Sequence, residues 1–72
     1  MKHKVWVVYW MQDWGIDDTT IYKNYNDAAG ALWNYFYENS GYEEEDYIEL
    51  YRDFCDTLDI DGYGFIRQQT IE

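Results

Sequence analysis

Seventy-two residues carrying fifteen Asp and Glu against five Lys and Arg have a formal charge of −10. That excess repels nucleic acid and anionic membrane, and favours basic proteins or cations as partners. The length allows one domain, residues 1–72, and no second core, while Cys55, the single cysteine, excludes an internal disulfide and fits a reducing compartment.

Aromatic residues make up 22% of the chain, with nine Tyr and four Trp. An acidic disordered segment would be poor in such residues, so the composition predicts a folded domain. The basic start Met1-Lys2-His3-Lys4 is followed by an apolar run, Val5 to Met11, that is too short for a membrane span. The run also lacks a small-residue cleavage site. The expectation is a soluble, cytoplasmic protein.

In chain order, Lys4 to Met11 alternates as a strand, with Val5, Val7, Tyr9 and Met11 on one side and Trp6, Val8 and Trp10 on the other. Both sides are apolar, which suits a strand covered on each face or one with a face left sticky. Asp13 to Asp18, with Gly15, reads as a hairpin loop. Thr19 to Tyr25, rich in Thr, Ile and Tyr, reads as the returning strand. Asn26 then reads as a helix N-cap, with Asp27 at the positive end of the dipole. The helix runs to about Asn39, buries Ala28, Ala29, Leu32, Tyr35 and Phe36, and stops at Ser40-Gly41. Gly30 weakens it unless something packs closely there.

A second helix is predicted over 43–58, with Tyr47, Leu50, Tyr51, Phe54 and Leu58 as its core stripe. Asp61-Gly62 and Gly64 mark a turn, and Tyr63 to Ile71 reads as a last strand pairing with the first. The expected architecture is α+β: a three-stranded antiparallel sheet with two helices packed on one face, in the order ββααβ.

Three constellations stand out. On the second helix Glu45, Glu49 and Asp53 recur every four residues, and Asp56 follows three later. Their carboxylates rise about 6 Å per step along one side. Only Arg52 interrupts the charge, so the like-charge pairs cost a few tenths of a kcal/mol each. Such a ladder imitates a phosphate backbone and suits a groove lined with Lys and Arg. Asp13, Asp17 and Asp18 in the hairpin loop add to the same sign.

The second constellation is aromatic. Sixteen large rings exceed what so small a core can hold, so some of Trp10, Trp14, Trp33, Tyr37, Tyr42 and Tyr63 are expected at the surface as interface anchors. The partner-binding set read from the sequence is Glu45, Glu49, Asp53, Asp56, Asp17, Asp18, Trp14 and Tyr42.

The third is Asp59-Ile60-Asp61-Gly62-Tyr63-Gly64-Phe65-Ile66, which resembles the first eight positions of an EF-hand calcium loop. Asp59 and Asp61 would be ligands, Gly64 the sharp turn and Ile66 the strand contact. Tyr63 stands where an oxygen ligand is usual, Thr70 where the bidentate Glu belongs, and with two residues after Thr70 no exiting helix is expected. A degenerate calcium-responsive module is therefore an alternative, and no metal or cofactor is expected otherwise.

Catalytic groupings are thin. His3 sits near the start of the chain, Cys55 beside the core stripe reads as a packed small hydrophobe, and Ser40 lies in a helix stop. With no phosphate loop, zinc spacing or triad, no enzyme is expected.

In size, acidity, aromatic richness and lack of catalytic groups, the chain resembles the small inhibitors that bacteriophages and mobile elements direct against host defences, the anti-CRISPR and anti-restriction DNA mimics. The resemblance is compositional and carries over no residue. It implies an inhibitor that blocks the basic groove of a nucleic-acid-handling protein such as an effector nuclease. A generic interaction or assembly subunit, pairing through a sheet edge or aromatic patch, is a further alternative.

Overall fold

The computed structural model describes residues 2–12 and 15–71. The elements run β1 (His3–Gln12), β2 (Gly15–Tyr22), α1 (Tyr25–Ser40), α2 (Glu44–Thr57), β3 (Asp59–Ile60) and β4 (Gly64–Ile71). The class is α+β, as expected, but the antiparallel sheet has four strands in the order β2-β1-β4-β3. No helix among the described residues is long and apolar enough to cross a membrane.

The additional strand comes from the segment resembling a calcium loop. Asp59 pairs with Phe65 and Ile60 with Gly64, and the Tyr63 N–H donates to the Ile60 carbonyl at 2.9 Å. Gly62 takes φ 83° in the third position of this turn, where a left-handed residue is needed and glycine supplies it without steric cost. Gly64 does not make the turn. A Cβ there would lie 2.6 Å from the Tyr9 carbonyl oxygen and 3.1 Å from Leu32 Cδ1, so Gly64 lets β4 close against β1 and α1.

The hairpin between β1 and β2 also differs from expectation. β2 begins at Gly15, so Asp17 and Asp18 belong to a strand rather than a loop. Trp10 pairs with Asp18 and Met11 with Ile16, which leaves Asp17 as the extra residue of a bulge. This bulge and its two carboxylates blunt one end of an edge strand.

Both helices pack on the side of the sheet carrying Val8, Ile60 and Ile66. With Ala28, Ala29, Leu32, Phe36, Tyr47 and Phe54 these form one buried cluster. α1 starts two residues earlier than predicted, with Asn24 as N-cap, and the Ala28 N–H donates to the Asn24 carbonyl at 3.2 Å. It ends as predicted on Gly41, at φ 77°. Tyr35 and Tyr51, assigned to core stripes from spacing, are 44% and 48% exposed. Each lies at the edge of its helix's buried arc, where an amphipathic ring keeps one end wet. α2 ends on Leu58, a non-glycine residue at φ 55°, whose side chain packs against the core.

Candidate protein-binding surface

α2 presents three flanks, and the helical period decides which residues share one. Tyr47, Leu50, Phe54 and Leu58 turn toward the core cluster. Ile48, Tyr51 and Cys55 lie on a second flank, and all three are exposed. Glu45, Glu49, Asp53 and Asp56 lie on the third, and all four are exposed. None of the four carboxylates is tied to another described residue by a hydrogen bond or an ion pair. Glu45 lies in the first turn of α2, where a carboxylate suits the positive end of the helix dipole. The last turn of α2 has no basic residue, so Asp56 sits uncompensated at the negative end of the helix dipole.

The connection between the helices sets an aromatic beside this flank. Tyr47 has a buried ring, but its hydroxyl reaches the chain turning from α1 into α2. The Tyr42 N–H donates to it at 3.0 Å, Ser40 Oγ lies 2.7 Å away, and it donates to the Tyr37 carbonyl at 3.4 Å. Tyr42, 53% exposed, is thereby held where it lines a shallow recess of about 340 Å³ with Asp46, Glu49, Leu50 and Asp53. Three carboxylates and one phenol ring thus surround a small apolar floor. Glu45 and Asp56 continue the same flank of the helix.

The structure therefore brings together part of the set read from the sequence. Tyr42, Glu49 and Asp53 share the recess, and Asp46 joins them, standing three residues before Glu49 and seven before Asp53 on the same flank. Asp17 and Asp18 line a different recess, of about 290 Å³, with Trp10, Met11, Gln12 and Tyr35. There the Thr19 N–H donates to Asp18 Oδ1 at 2.8 Å, and Trp10 Nε1 donates to Thr20 Oγ1 at 3.0 Å. Trp14, the remaining member, and Asp13 lie outside the described residues.

Sequence reasoning missed a groove on the opposite flank of α2. Trp33, Tyr37, Glu44, Tyr47, Ile48 and Tyr51 line about 410 Å³ between the helices. Trp33 packs edge-on to Tyr51, with centroids 5.0 Å apart, and stacks on Phe54 at 5.8 Å. The Tyr37 hydroxyl donates to Glu44, and this bond, with the negative charge beside it, pushes the Tyr37 phenol above its ordinary value. A hydrogen bond to Cys55 pushes Tyr51 the same way, and burial, with Cys55 nearby, does so for Tyr25. Cys55 itself is exposed, not packed in the core as its spacing implied.

The chain matches no family model, no curated protein and no solved structure. Function must therefore be argued from these surfaces. Among the described residues no group of three or more His, Cys, Asp or Glu is placed to hold a metal ion. Asp59 stands on β3 and Asp61 in the turn after it, so the segment that resembles a calcium loop is a β-hairpin here.

Proposed function

We propose that this chain is a protein-binding inhibitor that lays the α2 carboxylate flank into a basic groove built for nucleic acid. The observation that carries this reading is the set of four exposed carboxylates, Glu45, Glu49, Asp53 and Asp56, with no hydrogen bond or ion pair to another described residue. Charges that cost a small domain self-repulsion and do nothing for its packing are accounted for by a partner of opposite sign. Tyr42, fixed by the Tyr47 hydroxyl, is the ordered aromatic that anchors the contact. The target class is a nucleic-acid-handling enzyme of a host defence system, such as an effector nuclease, in the bacterial cytoplasm. Inhibition of this kind is competitive with nucleic acid and involves no chemical step, metal or cofactor.

The test is affinity capture from nuclease-treated bacterial lysate in EDTA, with elution by a salt gradient. Immobilised wild-type chain is expected to retain a basic nucleic-acid enzyme that elutes at moderate salt. The Glu49→Lys/Asp53→Lys variant, with an unchanged circular dichroism spectrum, is expected to lose it. Equal retention by the variant, or partners that resist high salt, would end this reading.

A further inference from the structure

We propose that the bare face of the sheet is the seat of a second copy of this chain, joined face to face in a two-fold dimer with the helices outside. The inference does not rest on the α2 reading.

The strand register places Val5, Val7 and Tyr9 of β1, Ile21 of β2, and Phe65 and Ile71 of β4 on the side away from the helices. Val5 and Val7 are buried, yet neither belongs to the cluster beneath the helices. Their neighbours lie flat over this face. Tyr9 stacks on Phe65 with centroids 4.8 Å apart, Gln69 Nε2 donates to the Tyr9 hydroxyl at 2.6 Å, and the Arg67 guanidinium lies 4.7 Å over the Phe65 ring. Arg67 Nη1 also donates to the Ile66 carbonyl at 3.1 Å. The result is an ordered plate of Tyr, Phe, Arg and aliphatic groups, the residue types enriched at interface centres. Side chains already held in place lose little entropy on association. Ile21 and Ile71 complete the plate at 63% and 47% exposure.

Charge selects the occupant. Of the acidic residues in the described strands, the register puts only Asp59 on this face, at the β3 rim beside Phe65. The α2 carboxylates lie in the opposite layer. This is the side on which a chain of charge −10 meets itself with its negative layers farthest apart.

The experiment is sedimentation velocity on the full chain across the micromolar range, at low and high salt. The expected result is a species of twice the 8.8 kDa chain mass whose dissociation constant tightens as salt screens the residual repulsion. Ile21→Lys and Ile71→Lys, at exposed positions the monomer does not need, are each expected to weaken the dimer at least tenfold with an unchanged circular dichroism spectrum. Glu49→Lys/Asp53→Lys is expected to leave it intact. A wild-type chain that stays monomeric throughout, or a dimer that survives both isoleucine substitutions, would overturn the proposal. Loss of the dimer in the α2 variant would overturn it as well.

Discussion

The helical layer and the bare sheet face present opposite kinds of surface. On one flank of α2, Glu45, Glu49, Asp53 and Asp56 are exposed carboxylates of one sign with no hydrogen bond or ion pair to another described residue. On the sheet, Gln69, Tyr9, Phe65 and Arg67 form a connected chain of contacts lying flat over buried valines. A free carboxylate ladder keeps its side-chain entropy and its hydration until a cationic partner arrives, so its binding is salt-sensitive. A preassembled plate has already given up that entropy and binds by removing apolar area from water, with little salt penalty. Ionic strength therefore separates the two surfaces: salt weakens contacts made by the first and strengthens self-association through the second.

The contrast depends on the two layers forming one unit, and Gly64 is where they meet. Gly64→Ala is expected to have the largest effect, destabilising the domain by about 1–3 kcal/mol. The Tyr9 carbonyl 2.6 Å away is backbone and cannot step aside. Urea denaturation would show this as a lower midpoint at constant slope. A neutral result would mean that β4 and β1 are free to slide, and that the plate is not the ordered surface described.

Gly30 tests the helical layer alone, in the opposite direction. Beyond its chain neighbours and the backbone of its own helix, no atom lies within 4 Å of a Cβ placed there, so Gly30→Ala in the middle of α1 is expected to add about 0.5–1 kcal/mol. The same denaturation measurement reads it, and both surfaces should keep their binding behaviour. Two Gly→Ala changes of opposite sign would separate a glycine required by close approach from one that nothing requires.

The smallest expected effect is a pH dependence. The Tyr37 phenol is raised by its bond to Glu44. A group raised on folding contributes stability that is present below its unfolded value, near 10. That contribution is lost as pH climbs through the folded one. Tyr37→Phe should therefore flatten part of the fall in melting temperature above pH 10, while leaving the curve near neutrality unchanged in shape. Tyr25 and Tyr51, raised in the same direction, contribute to the fall that remains.

Much of this was legible along the chain because it depends on local spacing. The carboxylate flank of α2 follows from residues three and four apart, and a helix puts these on one side whatever it packs against. The stop of α1 at Gly41 and the start of α2 near Glu43 are likewise local. The Asp59–Ile66 segment carries two readings, because Asp and Gly at short intervals serve a turn leading into a strand as well as a calcium loop, and the turn and strand are what the structure has. Pairing with both β1 and β3 places Gly64 in a strand rather than in the turn. Asp17 and Asp18 read as loop residues because acidic pairs are poor strand formers, and the bulge that admits them arises from pairing with β1.

What the sequence by itself determined, then, is the α+β class, the two amphipathic helices, the apolar central strand and the one-signed flank. Each is set by the periodicity of side chains along a single element. Only the tertiary structure decided which side of β1 the helices cover. Val5 and Val7 are as apolar as Trp6 and Val8, and periodicity has no preference between two equally hydrophobic sides. The fold resolves that ambiguity through Leu32 and Phe36 seated over Val8 and Ile66. The unchosen side remains the plate on which a second chain can rest.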